Sequence, residues 1–216
     1  MLTLYDYFRS GTSHRTRIAL HLKGAPFTRI GVDLIADAHK SDAYRALNPQ
    51  GLAPTLILPD GARLTQSTAI IEWLDEAYPS PPFLPRDPIT RARVRAIASI
   101  VACDIHPLGN KRVLQWLREE AGQDPKAVAG FAARWTQEGF AAIEALLNEG
   151  PGGPWCWGEA PGLADIYVVS QGYAATSRYG VDLSAYPRIA AAVAAADAHP
   201  AFQAAHPSAQ PEAAAA

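Results

Sequence analysis

The sequence predicts an α/β domain followed by an all-helical domain, and three observations lead to this prediction. Strand and helix patterns alternate over residues 1–78, whereas every periodic segment from Asp87 onward has helical spacing. Between them, residues 78–88 hold five of the chain's 18 prolines. Because prolines fix φ and lack an N–H group, this stretch should be stiff and extended. We therefore expect an α/β domain, a linker and a helical domain at residues 1–80, 81–88 and 89–216.

The composition is that of a globular protein with one large or two small domains. Of 216 residues, 49% are hydrophobic, and the formal net charge of −2 gives no indication of nucleic-acid or anionic-membrane binding. No apolar run approaches the roughly 18 residues of a membrane span, and the first residues lack a signal-peptide pattern. The two cysteines, Cys103 and Cys156, match no metal-binding or CxxC spacing. We expect a cytoplasmic protein in which both cysteines are small buried residues.

The α/β domain is predicted to begin with a strand–helix–strand unit. Leu2–Tyr5 has a strand pattern, Arg15–Lys23 has helical spacing that ends at Gly24, and Phe27–Val32 has a second strand pattern. A helix between two neighbouring strands implies that the strands are parallel, with a right-handed crossover.

The second half of this domain is predicted to be a short helix, a hairpin and a longer helix. Asn48-Pro49 ends the short helix, and the tight turn Pro59–Ala62 makes the two hairpin strands antiparallel. The predicted segments are Asp42–Leu47, Gly51–Leu58, Arg63–Thr65 and a helix that runs to Tyr78 with Ser67 as its N-cap. The resulting order, β-α-β-α-β-β-α, is that of a thioredoxin-like domain.

The second domain is predicted to contain helices only. Apolar spacing predicts them over Arg91–Glu120, Val128–Leu147, Gly162–Tyr179 and Tyr186–Ala198. Pro107 should bend or loosen the first of these, because it removes a backbone hydrogen bond. The small and polar residues Ser208–Ala216 are expected to fray.

The strand-to-helix turn Arg9–Arg15 is the first candidate site. It places the hydroxyls of Ser10, Thr12 and Ser13 and the guanidinium of Arg9 where a helix begins. The unpaired N–H groups and the positive dipole end of a helix N-terminus attract an anion. The turn holds no cysteine, so we expect the anion to be the thiolate of a cofactor, whose thiol pKa such donors lower from about 8.5. The alternative is an ordinary helix cap without a ligand.

Ala53-Pro54 and Gln66-Ser67 are the second and third candidate features. A cis peptide before Pro54 would turn the N–H and C=O of Ala53 toward a peptide-like ligand, whereas a trans proline at an edge position is equally compatible with the sequence. Ser67 at a helix N-terminus could hold a carboxylate or be a simple cap. A thiolate site, a backbone-pairing edge and a carboxylate site together match the cysteine sulfur, the cysteinyl backbone and the γ-glutamyl carboxylate of glutathione.

Over essentially its whole length the chain resembles the zeta-class glutathione transferases, which include maleylacetoacetate isomerases and bacterial maleylpyruvate isomerases. The stretches that carry the resemblance are Phe8–Leu20, Ala46–Pro49, Pro54–Leu56, Gln66–Leu74, Leu163–Asp165 and Val181–Pro187. The resemblance implies the glutathione transferase fold, in which a thioredoxin-like domain precedes a helical bundle.

The chain departs from the family pattern at two places. Ser10-Gly11-Thr12 stands where most zeta enzymes have Ser-Ser-Cys, and together with Cys103–Pro107 and Asn110–Arg112 it is more similar to the maleylpyruvate isomerases. The missing thiol shifts the contact with the glutathione sulfur onto the two hydroxyls of that turn. Gly162 stands where the family usually has Thr or Ser as a helix cap, but Asp165 can still accept from the first-turn N–H groups.

The resemblance also implies roles for individual residues. Ser10 and Thr12 should lie nearest the glutathione sulfur, with Arg9 as a third catalytic group. Further glutathione contacts are implied for His39, Gln50, Ala53, Pro54, Gln66, Ser67, His106 and Asn110, the last two from the helical domain or across a dimer interface. The acidic groups of the substrate should be bound by Arg9, Arg112 and Arg178, since guanidinium forks match carboxylates.

The implied activity is glutathione-dependent cis–trans isomerisation of a maleyl diacid by a homodimer without a metal ion. In this hypothesis the thiolate adds to the cis double bond, the bond rotates while it is single, and elimination gives the trans isomer and regenerates glutathione. The sequence does not distinguish maleylpyruvate from maleylacetoacetate as the substrate. Two alternatives remain: a general transferase that conjugates glutathione to small electrophiles, and a non-catalytic binding module of the same fold.

Overall fold

The computed structural model describes residues 1–215, and their contacts divide the chain into two compact units. The first unit consists of Met1–Pro82 and the segment that begins at Ala198, and the second consists of Phe83–Asp197. This division differs from the predicted one at the C-terminus, because the last helix packs in the first unit and not with the other helices. The predicted fold class is confirmed, since an α/β unit is followed along the chain by an all-helical one.

Helices form most of the described chain. They are α1 (Gly11–Leu22), α2 (Asp42–Leu47), α3 (Ser67–Ala77), α4 (Pro88–Ser99), α5 (Lys111–Glu119), α6 (Pro125–Asn148), α7 (Leu163–Tyr179), α8 (Pro187–Asp197) and α9 (Pro200–Ala205). Within the described residues, no helix combines the length and the apolar character that crossing a membrane requires.

The first unit is built on a four-stranded sheet. Its strands are β1 (Leu2–Asp6), β2 (Phe27–Gly31), β3 (Thr55–Ile57) and β4 (Arg63–Thr65), in the order β2-β1-β3-β4. β1 and β2 are parallel, whereas β1–β3 and β3–β4 are antiparallel. With α1 connecting the parallel pair and a hairpin following it, the predicted thioredoxin-like order is confirmed.

Two helices of this unit begin at residues other than the predicted ones. α1 begins at Gly11, four residues before the predicted Arg15, because Ser10 caps it by accepting a hydrogen bond from the Ser13 N–H over 3.4 Å. At α3 the N-cap is Gln66, so the prediction that Ser67 caps this helix is wrong. Ser67 is the first helical residue, and its hydroxyl has a different partner, described below.

The second unit lacks the long helix that was predicted over 91–120. α4 ends at Ser99, a π-helical segment spans Ile100–Ile105, and α5 begins after Asn110. Pro107 lies in the break, where its missing N–H leaves the helical ladder without a donor. The Asn110 side chain then accepts a hydrogen bond from the Arg112 N–H over 3.1 Å and starts a new helix.

α7 is buried along most of its length, and its N-terminus is held by a carboxylate. Asp165 accepts hydrogen bonds from the N–H groups of Gly162 over 2.9 Å and Cys156 over 2.7 Å. Gly162 itself is required by space, because a Cβ there would lie 2.9 Å from the carbonyl oxygen of Phe83, which accepts from the Leu163 N–H. The Asp165 carboxylate therefore accepts from the cap residue Gly162 and from Cys156, where the expectation was the N–H groups of the first turn.

The C-terminal segment is ordered into turns, so the prediction that residues 208–216 fray is wrong for residues 208–215, while Ala216 lies outside the described residues. Pro207–Ala209 and Pro211–Ala215 each form a 3₁₀ turn. The Nη1 of Arg29 lies 2.5 Å from Glu212, and the buried Arg17 donates to the carbonyl oxygen of Ala205 over 2.9 Å. The two residues of each pair are 183 and 188 positions apart in the chain, so no local sequence pattern could predict these contacts.

Candidate active site

The turn between β1 and α1 is closed by its own hydrogen bonds. The Ser10 N–H donates to the Tyr7 carbonyl over 3.0 Å, and the Tyr7 N–H donates to the Ser13 hydroxyl over 3.3 Å. Farther along, the buried Arg17 donates to the Phe8 carbonyl over 2.9 Å. These bonds hold the Ser10 hydroxyl at the N-terminus of α1, where the helix dipole favours an anion.

The structure brings this turn together with the second predicted feature. The hydroxyl oxygens of Ser10 and Thr12 lie 2.7 Å apart, and Thr12 donates to the carbonyl oxygen of Ala53 over 3.0 Å. The Ala53–Pro54 peptide is cis. The N–H of Ala53 makes no hydrogen bond to any of the described residues, so it keeps a donor for a ligand.

The loop before Pro54 is held in one conformation by buried polar side chains. The Asn48 amide donates to the Leu52 carbonyl over 2.6 Å and to the Thr55 hydroxyl over 3.1 Å, and the Tyr44 hydroxyl donates to the same carbonyl over 2.9 Å. This network fixes the backbone on both sides of Gln50 and Ala53, the predicted glutathione ligands in this loop. The sequence analysis gave Tyr44 and Asn48 no part in the site. Among the ligands predicted outside this loop, His39 lies beside it, because a Cβ on Gly51 would be 3.1 Å from the His39 carbonyl oxygen.

The third predicted feature is a helix N-terminus without a side-chain cap. Gln66 has a left-handed backbone conformation, with φ of 66°, and its side chain makes no capping bond to α3. Its amide instead donates to Gln50 over 2.5 Å, so two of the predicted glutathione ligands touch. A non-glycine residue at positive φ costs on the order of 1 kcal/mol or more and is often retained at functional sites.

A buried arginine joins the first and third features, and the sequence analysis missed it. The Nε of Arg15 donates to the Ser67 hydroxyl over 2.9 Å, and the two residues are 4% and 2% exposed. Arg15 therefore ties α1 to α3 and fixes the Ser67 side chain. Arg15 belongs to the stretch that carries the family resemblance, but nothing in the local pattern indicates that its side chain faces α3.

One hydrogen bond in the second unit joins the two segments that carry the predicted site residues. His106 and Asn110 are half-buried, whereas Arg112 and Arg178 are exposed. The Tyr179 hydroxyl donates to the Gly109 carbonyl over 3.1 Å, which joins the end of α7 to the segment before α5. Burial raises the pKa of Tyr179, and the neighbouring Arg178 guanidinium opposes that rise. Tyr179 was not among the predicted site residues.

Arg9 lies in the first unit and is exposed, with its guanidinium carbon 5.9 Å from the centre of the Phe8 ring.

The two cysteines differ in their surroundings. Cys156 is buried, which raises the pKa of its thiol well above the usual range, but Cys103 is exposed, so the prediction that both are buried is wrong for Cys103. Among the described residues, no group of three or more His, Cys, Asp or Glu side chains could hold a metal ion.

Comparison with known proteins places this geometry in a family. The family model for the glutathione S-transferase N-terminal domain matches residues 9–77. A maleylacetoacetate isomerase of Pseudomonas aeruginosa is 50% identical over 213 residues, which are 98% of each chain. A structure described as holo maleylpyruvate isomerase, a bacterial zeta-class glutathione S-transferase, is 48% identical with a TM-score of 0.94, covering 97% of this chain and 99% of the other. The chain belongs to the zeta-class glutathione transferases.

Membership of the zeta class confirms the resemblance and the glutathione transferase fold. Another relative shows what its own active site holds. The structure of a maleylacetoacetate isomerase from Anaeromyxobacter dehalogenans has glutathione bound in its active site; it is 41% identical with a TM-score of 0.88, covering 99% of this chain and 98% of the other.

The residues of the first unit fit the same tripeptide. The Ser10 hydroxyl at the start of α1 suits a sulfur anion, and the N–H of Ala53, which has no partner among residues 1–215, suits the cysteinyl backbone. The N-terminus of α3, which Gln66 leaves without a side-chain cap, suits a carboxylate.

Proposed function

We propose that this protein is a glutathione-dependent cis–trans isomerase of maleyl diacids, which converts maleylpyruvate to fumarylpyruvate or maleylacetoacetate to fumarylacetoacetate. The observation that carries the proposal is the contact of the cysteine-free active turn with Ala53, where Thr12 donates to the carbonyl of the cis Ala53–Pro54 peptide. This contact supports a thiolate site next to a backbone-pairing site. Relatives that cover nearly the whole chain carry the names of both isomerases.

Bound glutathione supplies a thiolate that adds reversibly to the maleyl double bond and is released unchanged. The protein's task at the sulfur is to stabilise the anion. The Ser10 hydroxyl and the N-terminus of α1 donate to it, and such donors lower a thiol pKa from about 8.5 toward neutrality.

Other residues of the proposal hold the rest of the tripeptide. The backbone of Ala53, beside Pro54, pairs with the cysteinyl residue, and Gln66 and Ser67 at the start of α3 hold the γ-glutamyl group. The remaining proposed contacts come from Gln50, His39, His106 and Asn110. The hydrogen bond between Gln50 and Gln66 supports a joint role for these two residues.

The residues proposed to bind the acidic groups of the substrate are Arg9, Arg112 and Arg178. A maleyl diacid carries two carboxylates, and planar guanidinium groups bind carboxylates with two parallel hydrogen bonds. Their positive charge also stabilises the negative charge that develops on the acyl side during the reaction. All three arginines are exposed in the isolated chain, which leaves their guanidinium groups accessible to a ligand.

The test is the conversion of purified maleylpyruvate and maleylacetoacetate with and without glutathione, followed by ultraviolet absorbance. We expect turnover that requires glutathione and does not consume it. Turnover that continues without the thiol excludes this mechanism, and stoichiometric loss of glutathione identifies a conjugating transferase instead. The ratio of kcat/KM for the two diacids then identifies the preferred substrate.

Substitution of Arg112 and Arg178 tests whether they bind the carboxylates of the substrate. Arg112→Met and Arg178→Met should each raise the KM for the diacid roughly tenfold to a hundredfold, since a hydrogen bond to a charged group contributes about 1.5–3 kcal/mol. The control is Arg134→Met on α6, which removes an exposed arginine whose partner is Glu138 at 2.9 Å. An equal effect of the control substitution contradicts the assignment.

We further propose that the protein acts as a homodimer in the cytoplasm. A reducing compartment keeps glutathione in its thiol form, as the reaction requires. Light scattering during gel filtration measures the assembly, and a monomeric mass at working concentration excludes the dimer. Fractionation of cells that produce the protein tests its location.

A further inference from the structure

The two hydroxyls of the active turn form a chain with a fixed direction. Each hydroxyl carries one proton, and a carbonyl oxygen can only accept. Thr12 donates to the carbonyl oxygen of Ala53 over 3.0 Å, so its proton is committed there. The 2.7 Å contact between Ser10 and Thr12 must therefore be donated by Ser10. Hydrogen-bond donation therefore runs from Ser10 to Thr12 and from Thr12 to the Ala53 carbonyl.

This direction separates the roles of the two residues. Ser10 can turn its proton from Thr12 to a sulfur anion while the bond between Thr12 and Ala53 stays intact. Thr12 can reach a sulfur only by releasing the Ala53 carbonyl. The Ser10 oxygen also accepts from the Ser13 N–H over 3.4 Å, and this contact keeps the hydroxyl at the helix N-terminus while its proton turns.

We propose that Thr12 is a positioning residue, which holds the Ala53 carbonyl for the glutathione backbone and leaves Ser10 as the hydroxyl that donates to sulfur. The inference rests on the proposed function, and it revises the expectation that both hydroxyls serve the sulfur. A carbonyl oxygen has two lone pairs, so the Ala53 carbonyl can accept from Thr12 and from a peptide N–H together. One hydroxyl thus couples the active turn to the backbone-pairing site across 41 residues of chain.

The experiment compares two ligands on four proteins. The ligands are glutathione and S-methylglutathione, whose sulfur cannot ionise, and the proteins are the natural chain, Thr12→Val, Thr12→Ser and Ser10→Ala. Calorimetry measures both affinities, and the ultraviolet absorbance of the bound thiolate, recorded against pH, measures the thiol pKa. Circular dichroism and thermal unfolding verify that each variant is folded.

Loss of the hydroxyl in Thr12→Val should weaken both ligands by the same factor, about fivefold for one hydrogen bond. The midpoint of the thiolate titration should stay in place or fall, because Ser10 no longer has Thr12 as a competing acceptor. Thr12→Ser should restore both affinities, since it keeps the donor. Ser10→Ala should raise the titration midpoint and weaken glutathione more than S-methylglutathione.

Two results overturn the inference while leaving the proposed function intact. The first is a Thr12→Val protein that loses affinity for glutathione alone and has a raised titration midpoint, which makes Thr12 a sulfur donor. The second is a Thr12→Val protein with both affinities unchanged, which shows that the bond to Ala53 does not matter for binding. If the natural chain binds neither ligand, the proposed function fails and the inference fails with it.

Discussion

The phenol oxygen of Tyr179 donates a hydrogen bond to the carbonyl oxygen of Gly109 over 3.1 Å. Gly109 allows this approach because a Cβ at that position would lie 2.8 Å from the phenol oxygen. The bond joins the last turn of α7, which carries Arg178, to the segment that leads into α5, which carries Arg112. One tyrosine therefore joins the two segments that carry these proposed substrate arginines.

Tyr179→Phe should raise the KM for the diacid severalfold while the protein loses about 1 kcal/mol of unfolding free energy or less. The reason is that both arginines lose a common anchor while their own side chains remain. Steady-state kinetics and urea unfolding measure the two effects. The control is Tyr186→Phe, which removes a tyrosine bond of similar length, 3.2 Å to the Gln137 carbonyl, and should change stability without changing KM. A KM that moves equally in both variants excludes the positioning role.

Because Arg15 donates a buried hydrogen bond to Ser67, removing the Ser67 hydroxyl should lower the free energy of unfolding markedly. Ser67→Ala removes the acceptor of a buried guanidinium nitrogen, and a buried donor that loses its partner costs about 1–3 kcal/mol. Urea unfolding should show this loss in the free energy of unfolding. Ser99→Ala at the end of α4 is the control, because Ser99 is exposed and the change should stay within about 0.5 kcal/mol. A loss no greater than that of the control contradicts this assignment.

The contact between Arg29 and Glu212 predicts a stability term that depends on pH. Burial alone would raise the pKa of Glu212, but the hydrogen bond from Arg29, a backbone hydrogen bond and the charges of Arg29 and Arg17 together outweigh it, and the pKa is lowered from the ordinary value of 4.5. A carboxyl whose pKa is lower in the folded state stabilises the fold above the unfolded pKa. That contribution disappears as the pH falls through the folded pKa.

Glu212→Gln should therefore lose about 0.5 kcal/mol of unfolding free energy at neutral pH, since the side chain is 39% exposed and solvent screens the pair. As the pH falls below 4.5 this deficit should shrink, which urea unfolding at neutral and at acidic pH measures. Glu76→Gln on α3 controls for the loss of an exposed glutamate. A deficit of the same size at both pH values would show that the ion pair is not its source.

Two glycines should respond to alanine with opposite signs. In Gly162→Ala the new Cβ meets the Phe83 carbonyl at 2.9 Å, which should cost about 1–3 kcal/mol through backbone displacement. Gly130, inside α6, has no atom within 4 Å of such a Cβ, so Gly130→Ala should stabilise by about 0.5–1 kcal/mol through its higher helix propensity. Thermal unfolding of both variants measures the difference. Equal shifts of either sign would refute the steric explanation for Gly162.

Sequence patterns predicted the elements whose signals are short-range. The strand–helix–strand unit, the hairpin and the start of α7 at a glycine cap all depend on spacing and turn residues within about 15 positions. The break between α4 and α5 was missed, although Pro107 indicated a disturbance there. A proline shows where a helix loses a hydrogen bond, but whether the helix bends or ends depends on the packing of its neighbours.

The candidate site was predicted in part for the same reason. Ser10, Ala53 and Gln66 each lie at the end of an element, where unpaired backbone groups follow from local rules. Arg15 and Tyr179 were missed because their partners lie 52 and 70 residues away in the chain. A polar residue on a helix has the same periodicity whether it faces water or a buried acceptor.

By itself the sequence determined the thioredoxin-like order, the helical second half and the zeta-class resemblance, since these follow from periodicity, turn residues and motif spacing. Only the tertiary structure decided that the last helix joins the first unit, that Ser67 accepts from Arg15, and that the proton of Thr12 goes to Ala53. The physical reason is that a hydrogen bond is set by the distance and angle between two atoms. Residues far apart in the chain acquire that geometry only once the chain has folded.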